Sequence, residues 1–327
     1  MGFAMKRIRC CLSIVFSVAL LIMAGFLNKT GARPVMQGDT PVSGDRSEVA
    51  GFSNNSHTKK KSDGIVRILA IGNSFSADAL ENYLFDLAKA SGKKIIIGNL
   101  AIAGGSLANH ITNLQNNLAP YIFTKIDSCG KKTITFSNPI GRILKSEPWD
   151  YISLQQVSHH SGMYETFVEP LSVLYKYVKE NATHPDVKLV LHQTWAYARN
   201  SGHAGFSNYQ KSQQIMYTAI VDTYKKAQKL INAYHIIPAG TAIQNARTSF
   251  IGDGFTRDGF HLQETYARYT VACTWFEKIF KTSVLSNSYK PSGLSNYYKE
   301  IAQHAAHFAV KRPDKITVLK RYQKDRP

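Results

Sequence analysis

The sequence predicts an α/β domain on a doubly wound, mainly parallel sheet of about five strands flanked by helices. Three observations carry that expectation. Short apolar runs recur between Val66 and Ile237, helical patterns fall between them, and the first run stops at a glycine followed by small polar residues. Apolar runs of that length suit strands buried on both faces of a parallel sheet.

The first strand is Val66-Arg67-Ile68-Leu69-Ala70-Ile71, closed by Gly72-Asn73-Ser74-Phe75-Ser76. Glycine permits a sharp turn there, and the residues after it stand at the carboxyl edge of the sheet, where open α/β sheets bind ligands. Ser74 in that place is either a nucleophile or, like Ser76, a helix cap. Leu80, Leu84, Leu87 and Ala88 share one face of a following helix, which Ser91-Gly92 ends. Residues 94–100 form the second strand, Ala103-Gly104-Gly105-Ser106 a turn, and 107–118 a helix. The stretch 121–136, interrupted at Ser128-Cys129-Gly130, reads as a hairpin inserted into the parallel plan. Ile140, Ile143 and Leu144 mark a short helix before the third strand, Tyr151-Ile152-Ser153-Leu154. Residues 168–178 are helical, and 187–191 form the fourth strand, ending at His192-Gln193-Thr194-Trp195. A long amphipathic helix over 214–231 leads to a fifth strand, His235-Ile236-Ile237. A loop through Asp258 and helices over 264–280 and 297–310 complete the chain.

Ahead of this domain, Lys6, Arg7 and Arg9 precede an apolar run over 11–27, with small residues at Ala24-Gly25 and Thr30-Gly31-Ala32. That is the layout of a secretory signal, expected over 1–32, with an uncleaved anchor as the alternative. Export to the periplasm, cell surface or medium follows, and membrane contact is expected only through this segment. Residues 33–64, rich in Gly, Ser, Asn and Lys, read as a disordered linker, and 65–327 as one domain. Two of the four cysteines fall in the leader. Cys129 and Cys273 remain, too few for a disulfide framework, and sequence leaves their pairing open. The formal charge of +18 comes from lysines spread along the chain, apart from Lys59-Lys60-Lys61 and a basic tail. No nucleic-acid-binding motif accompanies them, so a solvated basic surface is expected rather than a nucleic-acid partner.

Near the end comes Arg257-Asp258-Gly259-Phe260-His261-Leu262. An acid and a histidine two positions apart can share a tight loop, the carboxylate orienting the imidazole and leaving its other nitrogen to take a proton from a serine. His192 and Trp195, ending the fourth strand, are candidates for substrate contact or for the core. His159-His160 on a strand-end loop are surface polar residues or line a pocket.

Taken in order, these blocks resemble the SGNH (GDSL-type) hydrolases over roughly residues 66–280. Gly72-Asn73-Ser74-Phe75 resembles that family's nucleophile block, Ala103-Gly104-Gly105-Ser106 its glycine block, and Asp258-Gly259-Phe260-His261 its late Asp-x-x-His block. Two departures stand out. Asn73 occupies a place the family usually gives to Asp, and the family's Gly-x-Asn-Asp is replaced by Gln156-Val157-Ser158-His159. The strand end Leu154-Gln155-Gln156 is similar to that of an exported bacterial branch of unknown function.

The resemblance implies a flavodoxin-like three-layer fold and a Ser74–His261–Asp258 triad. It implies an oxyanion hole from the backbone of Ser74 and Gly105 with Gln156 or Ser158, and no metal or organic cofactor. The activity it implies is an exported serine esterase acting on acyl groups, above all O-acetyl groups on carbohydrate, with an acylated small molecule or polysaccharide as partner. A lipase or lysophospholipase is the enzymatic alternative, and a catalytically weak carbohydrate-binding protein on the same scaffold the non-enzymatic one.

Overall fold

β1 (Ile65–Gly72) is the centre of the architecture, and its last five residues are fully buried. It pairs in parallel with β2 (Lys94–Ala101) on one side and β5 (Tyr151–Leu154) on the other. Beyond β5 the sheet continues in parallel through β6 (Lys188–His192) and β7 (His235–Ile237). Beyond β2 it is extended by an antiparallel hairpin, β3 (Tyr121–Ile126) and β4 (Lys132–Asn138). The order is β4-β3-β2-β1-β5-β6-β7. The five expected strands are thus the parallel part, and the hairpin brings the sheet to seven. The strand order reverses beside β1, which makes the carboxyl end of β1 the switch point where ligands bind in such sheets. This computed structural model describes residues 63–325; the expected secretory signal and nearly all of the expected linker lie outside the described residues.

Helices cover both faces. The single helix expected after Ser74 is two, α1 (Ser74–Leu80) and α2 (Leu84–Ala90). They part at Glu81, whose carboxylate turns to Asn99 (2.7 Å) and Lys132 (3.0 Å) and pins the break to the sheet. α3 (Leu107–Gln115) starts with a capping box of Ser106 and Asn109. α4 (Ile140–Leu144), α5 (Glu165–Asn181) and α6 (Gln213–Leu230) follow the expected pattern with shifted ends. α7 (Ala239–Ala246) falls where a loop was expected. It is buried at every position and packed against α8 (Tyr266–Phe280) and α9 (Asn296–Lys311). Its polar residues Thr241, Gln244 and Asn245 share one face but meet Gln193, Gln213 and the Ala305 carbonyl rather than solvent, and eight such residues read as a loop. Cys129 is exposed and Cys273 buried in α8, and both are free thiols. Burial pushes the Cys273 thiol well up. Among the described residues no helix is long and apolar enough to cross a membrane.

Register aligns the strand ends. Gly72 is level with Ala101, Leu154 with Leu191, and His192 with Ile237. The segments beginning at Asn73, Ile102, Gln155 and Gln193 therefore emerge on one edge.

Candidate active site

Ser74 is the first residue of α1. Asn73 caps that helix from extended backbone, its Oδ1 accepting from the Phe75 N–H at 3.0 Å. The Ser74 N–H makes no hydrogen bond among the described residues, as expected of a first-turn amide. Gly72 is required by close approach, because a Cβ there would stand 2.8 Å from Ser76 Oγ.

The second half of the site is the loop from Thr256 to Leu262. Thr256 and Leu262 form an isolated bridge, the Arg257 N–H donates to the His261 carbonyl at 3.0 Å, and Gly259 takes φ +89°. Within this turn Asp258 Oδ1 accepts from the N–H groups of Phe260 (3.1 Å) and His261 (2.7 Å), and Oδ2 lies 2.6 Å from His261 Nδ1. His261 Nε2 stands 3.0 Å from Ser74 Oγ. The three residues expected from sequence are brought into one line. Partial burial pushes the Asp258 carboxyl up, but the hydrogen bonds from the His261 ring and from the two amides outweigh it and hold the group below the usual carboxylate range.

Two contacts fasten this loop to the nucleophile. Trp195 stacks on Phe75 with centroids 4.1 Å apart and donates from Nε1 to the Phe260 carbonyl at 2.7 Å. Asp78, on α1 one turn after Ser74, accepts from the Leu262 N–H (2.9 Å) and pairs with Arg268 (2.7 Å) and Arg257 (3.5 Å). Sequence reasoning missed Asp78. Its signal was available: an acid on a helix whose neighbours Phe75, Ser76, Ala79 and Leu80 are all buried needs a partner.

Behind the serine runs a buried polar chain. Asn73 Nδ2 donates to the Gly105 carbonyl (2.9 Å), Gln155 Nε2 donates to Asn73 Oδ1 (2.6 Å), and Gln155 Oε1 meets His192 Nδ1 at 3.0 Å. The Phe75 amide and the Gly105 carbonyl fix the orientation of the Asn73 amide, which in turn fixes Gln155 and makes His192 Nδ1 the donor. Asn73 therefore accepts and donates at once, which an aspartate cannot do. Asn73→Asp is expected to set two oxygens against each other at Gly105 and cost about 2 kcal/mol. Urea unfolding checks it, and a variant as stable as the parent would show that the Gly105 contact is dispensable.

His192 and Trp195 are corrected as substrate contacts: both are fully buried, held by the network and the stack just described. Burial pushes the His192 imidazole down to about 3 and that of His110, beside Tyr121, down to about 4. Both rings are neutral when folded, whereas unfolded histidine takes a proton near pH 6.5. The unfolded chain then binds more protons below that point. Stability is expected to be intact above pH 6.5 and to fall by roughly 1 kcal/mol per pH unit for each ring as the pH drops towards the folded values. Thermal midpoints at pH 7 and 4.5 measure this, and equal midpoints would contradict it.

The expected oxyanion donors divide. The Ser74 N–H is unengaged, but the Gly105 N–H donates to the Ile102 carbonyl at 3.1 Å, so Gly105 is corrected as a donor. Its lack of a side chain is a packing matter, since a Cβ would meet Ile102 at 2.3 Å. In the same loop Gly104, at φ +63° and facing open space, has an N–H with no partner among the described residues. Gln156 is corrected too: its Oε1 accepts from the amides of Leu107 and Val157, and its Nε2 donates to Thr166. Ser158 Oγ pairs with Tyr197 OH at 2.7 Å. That couple shares one hydrogen bond between two hydroxyls and so keeps a second proton to donate. Nearby, His159 packs beside His160 and His203, and His203 lies against Tyr197 and Phe260, one residue from His261.

The model of a family described as a domain of unknown function, DUF4886, matches residues 67–309. No curated protein matches the chain. Among solved structures, the chain is 49% identical to a DUF4886 family protein from Bacteroides uniformis, covering 79% of this chain and 99% of that one, with a TM-score of 0.78. It is 19% identical to a putative SGNH hydrolase from Slackia heliotrinireducens over 65% of this chain and 98% of that one (TM-score 0.44). It is 10% identical to an acetylxylan esterase from Geobacillus stearothermophilus over 66% and 93% (TM-score 0.43). Likenesses as distant as the last two say nothing about chemistry.

Proposed function

The chain belongs to the DUF4886 family, and from that premise we propose that it is an exported serine esterase of the SGNH type that removes O-acetyl groups from carbohydrate. The observation that carries the reading is the unbroken line from Ser74 Oγ through both nitrogens of His261 to Asp258. In the proposed reaction Ser74 Oγ attacks the ester carbonyl while its proton passes to His261 Nε2. Asp258 stabilises the imidazolium at Nδ1, and its second oxygen, fixed by two backbone amides, keeps the ring aimed at the serine. The imidazolium then protonates the departing sugar oxygen, and a water activated by the same nitrogen hydrolyses the acetyl-serine. The N–H groups of Ser74 and Gly104 are the assigned oxyanion donors, because both are unengaged.

The choice of a small acyl group rests on the packing beside the serine. Phe75 and Trp195 are stacked and buried, and Ala79, one turn after Phe75 on α1, is buried too, so the apolar side chains next to Ser74 leave no open acyl pocket among themselves. His261 and Asp258 are partly open, at 21% and 39% side-chain exposure, which suits an ester displayed on a bulky polar partner. The basic and apolar stretch at the N-terminus supports export. A screen of acetylated sugars, short acyl esters and phospholipids tests the reading, with acetate release expected from the first two. Fatty acid released from phospholipid alone would overturn the substrate, and glycan binding without turnover of any ester would overturn the activity.

A further inference from the structure

The sheet outruns its helix layers at the hairpin. β4 is exposed along all but its last residue, with Ile134 and Phe136 at 53% and 69%, and Ile122 on β3 is at 45%. Alternation puts the three on one face, since Ile134 stands opposite Thr124, Ile122 lies two residues before Thr124, and Phe136 two after Ile134. Tyr121 and Phe123, pointing the other way, are buried, as are Thr124 and Ile126 further along the same face as Ile122. Three adjoining apolar side chains left uncovered call for a cause in a way that scattered single ones do not.

Register gives their place. Gly72 is level with Ala101, and Ala101 with Ile122. Ile122 therefore stands in the row of the glycine two residues before Ser74, two strand spacings or roughly 10 Å away. Ala103 and Gly104, which leave the strand between them, are exposed and small. On β4 a register shift, with Ser137 in left-handed backbone at φ 55°, sets Phe136 and Ser137 opposite Ile122. Bulges of this kind re-aim side chains.

We propose that Phe136, Ile122 and Ile134 form a second subsite that seats the unreacted rings of an acylated oligosaccharide while its ester lies at Ser74. This rests on the esterase reading above. An aromatic and two aliphatic side chains sharing one face of the hairpin match the C–H face of a pyranose. The patch is continuous with the catalytic edge, so one extended chain reaches both. A second copy pairing along β4 is opposed by the bulge and by Lys131 and Lys132 at the head of the strand, the devices that blunt sheet edges.

The test compares p-nitrophenyl acetate with a short O-acetylated oligosaccharide. Phe136→Ala is expected to raise KM for the oligosaccharide about tenfold, with kcat and the small ester unchanged, and Phe136→Tyr to behave as the parent. Equal kinetics of Phe136→Ala and parent on the oligosaccharide, or an equal loss on both esters, would overturn the subsite. Should the parent hydrolyse neither ester, NMR titration with the deacetylated oligosaccharide still reads the subsite alone. Shifts confined to the hairpin support it, and their absence overturns it. A concentration-dependent dimer, or binding to phosphatidylglycerol vesicles, that Phe136→Ala abolishes would assign the patch to another occupant.

Discussion

Alanine in place of Ser74 is expected to lower kcat on a soluble acetyl ester on the order of 10^5-fold while leaving the thermal midpoint unchanged. Among the described residues the Ser74 hydroxyl has one hydrogen-bond partner, His261 Nε2, so its removal takes away the attacking atom and no other contact of that group. His261→Ala should be as damaging, and the double variant no worse than either, because the residues act as a unit. Asp258→Asn should retain more, since its carbonyl can still accept from the amides of Phe260 and His261. It would nonetheless present an N–H or a weaker acceptor to Nδ1 and lose the preference for the right tautomer. Stopped assays on an activated ester measure all four. Full activity in Ser74→Ala or His261→Ala would dismiss the triad.

The second large effect is expected at Asp78. Its carboxylate is 4% exposed and serves three groups from the other end of the chain: the Leu262 amide, Arg268 and Arg257. Alanine there should cost about 3 kcal/mol, mainly because the Arg268 guanidinium, itself only 19% exposed, is left without its counter-charge. The same change frees the loop that carries His261, so kcat should fall with KM little altered. Asp78→Asn keeps an acceptor for Leu262 and should lose stability while retaining more of the rate. Urea unfolding and steady-state kinetics separate the two consequences. A destabilised Asp78→Ala with an unaltered kcat would mean that the stack of Trp195 on Phe75 holds the loop unaided.

The parts of this molecule that sequence revealed share a property. Ser74 sits where an apolar run ends, Asp258 and His261 lie within four residues of one another, and the hairpin is two strand-forming runs parted at Ser128-Cys129-Gly130. Each is a local pattern. What sequence hid depends on register or on distant partners. At the end of β5, successive side chains point to opposite sides, so moving an alignment by one residue changes which glutamine faces the nucleophile loop. Gln155 meets Asn73, while Gln156 turns to Leu107 and Thr166. α7 was missed because it spans only eight residues and its polar side, Thr241, Gln244 and Asn245, meets distant buried partners rather than solvent. His192 looked available because it ends a strand on the right edge, yet the Gln155 side chain lies against it and closes it in.

The hydrogen bond between Ser74 and His261 joins residues 187 positions apart, and Asp78 to Leu262 spans 184. Neither half of the site is competent by itself. β1 and α1 supply the hydroxyl but nothing to accept its proton. The base is delivered only when the segment after α7 docks onto α1. Contacts of such separation in sequence are the costly, late ones in folding. On the proposed reading, hydrolytic power would thus belong to the finished chain alone.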